Sequence, residues 1–333
     1  MTEKRGIIGF GLSGMLTYLK LIKSGVSPSN ILIFDPDFIG GDLARSYSSI
    51  ESNTTWKSVI DIFPEAESLF PELDKDKTTN ILYLPKVLDA LSSKTLNLSE
   101  LYPTFVSKLT YNCNRWTIET LNENHLVDIV YLCQGGQPKT QNIPGKWIPL
   151  SIGLDKDLLK RYVNPVNTYT VFGLSHSGTL ILKNLLDLDI HVNAIYKTPT
   201  PFQYSRDGFY SGIKQESEKI ADSILRGDYP KLKLISSTDI DSVARAIKKS
   251  STFISATGFE PRRIEIIVEG SSKDSLKYSS ETALIDECPN CYGFGMAYPS
   301  FSIINDKKHN DISFSAFYRQ ISRIISQSFN NDN

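Results

Sequence analysis

Apolar residues along the chain alternate between short runs and helically spaced sets. Gly6-Ile7-Ile8 is a short run. Met15-Leu16-Thr17-Tyr18-Leu19-Lys20-Leu21-Ile22 follows with helical character, and Ile31-Leu32-Ile33-Phe34 is a second run that ends on Asp35. Such a pattern predicts strand, helix, strand. It recurs in Tyr169-Thr170-Val171-Phe172, a helix over 179–186 and a strand over 192–196. Between the two, helices are predicted from Trp56 to Ile62, behind a capping cluster at Ser52 to Thr55, and from Leu82 to Leu91, with Pro85 near the first turn. Alternating stretches at 104–109, 115–120 and 126–130, separated by Asn-rich turns, predict a β-meander. Later elements are helices over 212–225 and 240–248, strands at 232–235 and 252–255, and a helix from about Phe314 to Gln327 with Phe317, Ile321 and Ile324 on its core face. The Asn-rich tail, 330–333, reads as disordered.

The turns between strand and helix carry the chemistry. The first is Gly9-Phe10-Gly11-Leu12-Ser13-Gly14. In a dinucleotide-binding βαβ unit, the first glycine makes the tight turn and the second lets backbone approach a pyrophosphate. The third allows close helix–strand packing, while the helix N-terminus faces the phosphates. Asp35 sits where a carboxylate would accept ribose hydroxyl hydrogens. The second turn, Gly173-Leu174-Ser175-His176-Ser177-Gly178, replaces the middle glycine with serine. Lys197 follows its second strand, where a cation suits a 2′-phosphate and favours NADP over NAD.

The order of these parts resembles the two-dinucleotide-domain flavoproteins, a superfamily that includes flavin-containing monooxygenases and thioredoxin reductases. Asp35 is followed by the Gly40-Gly41 pair and a polar loop containing Asn53 and Trp56. The apolar strand 129–132 leads to Gly135-Gly136, and a later strand ends Ala256-Thr257-Gly258-Phe259-Glu260-Pro261. The G-x-S-x-S-G turn is closer to the monooxygenase side. The resemblance implies an α/β fold of two Rossmann-like domains, with an NAD(P) domain (146–255) inserted into a FAD domain (1–145 and 256–333). It further implies FAD at Gly9, Gly11, Ser13, Gly14, Asp35, Gly40, Gly41, Asn53, Gly135 and Gly136. NADP or NAD would lie at Gly173, Ser175, His176, Ser177, Gly178 and Lys197, with Thr257, Gly258 and Gly295 also close to cofactor. The segment 144–155 lacks the histidine of the F-x-G-x-x-x-H-type signature that the flavin-containing and N-hydroxylating monooxygenases carry before the second glycine turn.

Composition narrows the partners. The 333 residues are 40% hydrophobic and 22% charged with net charge −1, so no electrostatic footprint for nucleic acid or an anionic membrane exists. No apolar run reaches the roughly 18 to 20 residues of a membrane span. Met1 to Arg5 leads straight into the first strand, which leaves no room for a signal peptide, and four cysteines form no disulfide framework. A cytoplasmic protein acting on a small molecule is expected, with no metal. Cys288-Pro289-Asn290-Cys291 admits a redox pair or a plain turn, and His176 a proton carrier or a backbone-bonded residue. Three functions follow: a flavin-dependent NAD(P)H oxidoreductase, a cofactor-binding protein without turnover, or a thiol–disulfide reductase using Cys288 and Cys291.

Overall fold

The computed structural model describes residues 3–209, 212–273, 277–304 and 307–330. The side chains of Asn53, Ile304, Lys307 and Asn330 lie outside that description, as does the tail 331–333. The chain divides into two compact units, residues 1–136 with 261–333, and residues 137–260.

The first unit is built on a parallel sheet. Its first strand, β1 (Arg5–Ile8), feeds α1 (Leu12–Lys23) and then β2 (Ile31–Phe34), which pairs in parallel with β1. Ile129–Leu132 flanks β1 on the other side, and Glu100–Tyr102 and Cys291–Gly293 form the edges. Both faces of β1 and β2 are buried, which explains their unbroken apolar runs. Ile7, Ile31 and Ile33 face α1, the helix Tyr83–Leu96 and the late helix Phe314–Asn330. Ile8, Leu32 and Phe34 face a second sheet that contains Val106–Asn112, Arg115–Thr120 and Asn124–Val127.

That second sheet corrects the predicted meander. The run 126–130 is broken at Asp128, whose Oδ2 accepts the Lys4 N–H at 2.8 Å and whose Oδ1 accepts from Arg115 Nε at 2.9 Å. Residues before it stay in the meander, and Ile129–Leu132 crosses to the parallel sheet. Glu265–Val268 joins this sheet on its opposite edge, pairing in parallel with Val106–Asn112, while Asn124–Val127 stays paired with Arg115–Thr120. A second correction lies near the C-terminus. A hairpin, Ser300–Ile304 with Lys307–Asp311, separates the glycine loop at 293–295 from the late helix.

The second unit has its own five-stranded sheet, in the order Lys146–Trp147, Thr252–Ser255, Thr168–Phe172, His191–Tyr196, Leu232–Ser236. All of its pairings are parallel. The helix His176–Asp187 connects its third and fourth strands. Glu216–Leu225 is helical where a start at Gly212 was predicted. Among the described residues, no helix is long and apolar enough to cross a membrane.

Candidate functional site

The two glycine turns have the same construction. Gly9 has φ +90°, and a Cβ there would lie 2.5 Å from the Cys133 carbonyl oxygen. A Cβ on Gly14 would lie 2.1 Å from the Gly9 oxygen. In the second unit Gly173 has φ +91° with a would-be Cβ 2.4 Å from the Ala256 oxygen, and Gly178 would meet the Gly173 oxygen at 1.9 Å. These four glycines are required by the chain itself: left-handed backbone in the first of each pair, close approach in all four.

Gly11 is different. Its φ of −68° and ψ of −165° suit any residue, and the nearest atom to a Cβ would be the Gly40 oxygen at 3.9 Å. Ser175 occupies the equivalent position in the second turn with φ −79° and ψ −168°. Nothing in the protein therefore demands glycine at position 11. The residue leaves open a cradle that a methyl group would fill, beside a helix end that no side chain caps. The first-turn N–H groups of α1 have no carbonyl one turn back and await another acceptor. A pyrophosphate fits that donor set. The helix His176–Asp187 is likewise uncapped by a side chain.

Around the first turn the structure gathers most of the predicted residues. Asp35, 7% exposed, is a structural tie as well as a candidate ligand: Oδ2 accepts the Phe10 N–H at 2.6 Å, and Oδ1 accepts those of Asp37 at 2.8 Å and Phe38 at 3.1 Å. Each carboxylate oxygen has two lone pairs, so Oδ2 retains room for a hydroxyl. Gly40 donates to the Phe10 carbonyl at 3.2 Å, and a Cβ on Gly41 would sit 3.2 Å from Gly11 Cα. Gly295 presses on the same place, its would-be Cβ 2.5 Å from Ser13 Oγ. Gly135, with φ +67°, accepts the Arg262 N–H at 3.3 Å, and Gly136 opens the strand Gly136–Pro138. Asn53 lies in the strand Glu51–Thr55, away from this cluster in the backbone pairing, and its side chain is not described.

A cleft of about 310 Å³ opens at the carboxyl ends of β1 and β2. Gly9, Asp35, Asp42, Arg45, Gln134, Arg262 and Arg263 line it, with Phe105 (64% exposed) and Val106. Reading the sequence alone misses the arginines, Asp42 and Phe105. They follow no motif and come together only through the fold.

In the second unit, Thr257 directly follows Ala256 at the second turn, and Gly258 has φ +96° with open space around it. Thr257 Oγ1 accepts from Gln141 Nε2 at 3.2 Å. Lys197 is exposed just past the strand His191–Tyr196, and no ion pair to it occurs among the described residues. Arg206, by contrast, is engaged by Glu218 and Asp222 and lies over the Tyr204 ring. His176 Nδ1 is 2.6 Å from Ser217 Oγ, which ties the start of one helix to the first turn of Glu216–Leu225.

Cys288 and Cys291 are free thiols, 3% and 0% exposed. Burial pushes the Cys288 thiol up to about 11 and raises Cys291 as well, so neither is poised as a thiolate. Their turn has clear packing duties: the Pro289 carbonyl accepts the Trp116 indole N–H at 2.7 Å, and that of Asn290 accepts the Val130 N–H at 3.0 Å. No group of residues able to hold a metal occurs among the described residues.

No protein-family model matches the chain. It is similar to the monooxygenase AgnR1 of Paecilomyces divaricatus, 27% identical over 217 residues, which covers 55% of this chain and 54% of that protein. The chain thus spans about half the length of the curated relative it matches. Among solved structures it resembles a flavin-containing monooxygenase from Stenotrophomonas maltophilia, with TM-score 0.68 and 14% identity over 99% of both chains. It also resembles the bacillithiol disulfide reductase Bdr of Staphylococcus aureus, with TM-score 0.67 and 12% identity over 99% of both. The ornithine N-hydroxylase of Kutzneria sp. 744 superposes with TM-score 0.61 at 14% identity and full coverage. Two parallel sheets, each with a glycine turn entering a helix, and matches along the whole length of these solved structures show that the chain shares their mixed α/β fold of two Rossmann-like units.

Proposed function

We propose that this chain is an FAD-dependent NAD(P)H oxidoreductase of the monooxygenase kind. The residues outside 137–260 would hold FAD, and the inserted unit would hold the nicotinamide cofactor. The observation that carries the reading is Gly11, a glycine that the backbone does not need, beside an uncapped helix end. A second turn that keeps the two backbone-imposed glycines, with Ser175 in place of the middle one, supports a second dinucleotide. Bound flavin would supply the ability to accept a hydride from reduced nicotinamide and to pass electrons to oxygen or an organic acceptor.

The chain's own residues would do the rest. Backbone N–H groups at Gly11 to Gly14 would bind the pyrophosphate, and Asp35 Oδ2 a ribose hydroxyl. Ser175, Ser177 and Gly178 would bind the second cofactor, and the exposed Lys197 favours NADPH through its 2′-phosphate. The monooxygenase reading over a plain reductase is supported by the AgnR1 similarity and by the buried, high-pKa cysteines. A small molecule would be the substrate, and the cytoplasm, where four unpaired thiols are stable, the setting. Oxygen uptake by the FAD-loaded protein during NADPH oxidation is the test. Uptake that matches NADPH consumption without equivalent release of hydrogen peroxide supports the assignment, and NADPH oxidation that occurs only with a disulfide acceptor overturns it in favour of a thiol reductase.

A further inference from the structure

The loop between β2 and the Gly40-Gly41 pair has an unusual backbone. Phe38, Ile39, Gly40 and Gly41 are consecutive left-handed residues, with φ of 44°, 33°, 89° and 50°. Glycine adopts this region freely, but a β-branched isoleucine there is a steric outlier. Left alone, the segment would relax, and Gly41 would leave its place against Gly11. Its position therefore depends on what holds it. Asp35 accepts the N–H groups at the loop's start, and Gly40 donates to the Phe10 carbonyl. Arg45 pairs with Asp37 and, at 2.5 Å, with Asp42, but it belongs to the same local stretch.

A long-range ion pair also reaches that stretch: Arg262 pairs with Asp42, 220 positions earlier in the chain. Arg262 is itself anchored at the end of the strand Ile129–Leu132. Its N–H donates to the Gly135 carbonyl at 3.3 Å, one guanidinium nitrogen to the Gln134 carbonyl at 3.4 Å, and its own carbonyl accepts from Gln134 Nε2 at 3.3 Å. A fixed cation thus ties the far end of a loop whose Phe38 also packs against the first unit's core.

We propose that Arg262 is a positioning residue for the dinucleotide site of the first unit. Through Asp42 it holds the left-handed loop Phe38–Gly41 against the first glycine turn, so flavin affinity depends on this ion pair. The inference rests on FAD as the ligand of that unit. Both partners are partly exposed, so the dependence is screened by salt.

The test measures FAD dissociation constants by flavin fluorescence on the full chain. If the wild-type protein does not bind FAD, the assignment of that cofactor fails, and the inference with it. Given wild-type binding, Arg262→Gln and Asp42→Asn are each expected to weaken FAD about three- to fivefold, and the double variant no further. Arg262→Lys recovers part of the loss. Ile39→Gly, which removes the penalty for left-handed backbone, is expected to restore most of the affinity in the Arg262→Gln background. A merely structural or directly flavin-contacting arginine would not be rescued this way. Unchanged affinity in Arg262→Gln and Asp42→Asn, or no rescue by Ile39→Gly, overturns the inference. If one single variant does not fold, the other carries the comparison.

Discussion

Replacing Gly11 by alanine separates a ligand's requirement from the fold's. In the free chain the added methyl group meets only the Gly40 oxygen at 3.9 Å, and φ of −68° is ordinary for alanine. The cost to the fold is that of a less favourable N-cap, below about 1 kcal/mol. That corresponds to a shift in thermal midpoint of no more than about 4 °C for a unit of this size. A pyrophosphate in the cradle would be pushed off by the methyl group. Loss of one charge-assisted hydrogen bond, about 1.5–3 kcal/mol, predicts roughly tenfold to 100-fold weaker FAD binding. Gly14→Ala is the contrast. Its methyl group would lie 2.1 Å from the Gly9 backbone oxygen, where neither side can yield, so overpacking of about 1–3 kcal/mol or more destabilises the chain with or without ligand. The assay is FAD titration by fluorescence, paired with thermal melts of the apo proteins. If Gly11→Ala binds FAD as tightly as wild type, or melts as early as Gly14→Ala, then Gly11 is a packing residue and the cofactor reading loses its main support.

Further expectations address the other residues. Lys197→Glu should raise the KM for NADPH at least about tenfold and leave that for NADH nearly unchanged, since only the former carries a 2′-phosphate. Equal effects on both would remove Lys197 from the cofactor's reach. Cys288→Ser and Cys291→Ser should keep NADPH-dependent flavin reduction while lowering the thermal midpoint, because each thiol is buried in a turn that packs on Trp116. Loss of reduction in either variant would revive a redox role. The raised Cys288 thiol also sets a pH dependence. Below about pH 9 it is protonated in both folded and unfolded chains. As pH rises from about 9 towards 11 the unfolded chain loses that proton first, so this group's contribution makes the fold less stable across that window. Cys288→Ser should flatten that part of the stability profile, and an unchanged slope would refute the assignment.

How much of this was legible in the sequence depends on what carried the information. The strand–turn–helix units were legible because Gly9, Gly14, Gly173 and Gly178 are imposed by the backbone, and buried parallel strands must be apolar throughout. The edge strands Glu100–Tyr102 and Cys291–Gly293 were not. They are three residues long and include Glu100, whose carboxylate pairs with Lys4. The switch of sheets at Asp128 was hidden in an alternating run, because one carboxylate's hydrogen bonds decide it. At the site, residues whose role lies in backbone geometry could be named in advance. Those whose role lies in long-range pairing, such as Arg262 with Asp42, could not, since no spacing rule links positions so far apart. The C-x-x-C spacing was visible, but its chemistry depends on burial, which the spacing does not encode.

A flavin in the first unit would be reduced by a nicotinamide cofactor in the second. Anaerobic titration of the FAD-loaded protein with NADPH, followed by visible absorption, tests this most directly. Loss of the flavin bands near one equivalent of NADPH, with NADH much less effective, is the predicted result. A protein that takes up no FAD, or whose flavin bands persist under excess NADPH and NADH, would contradict it.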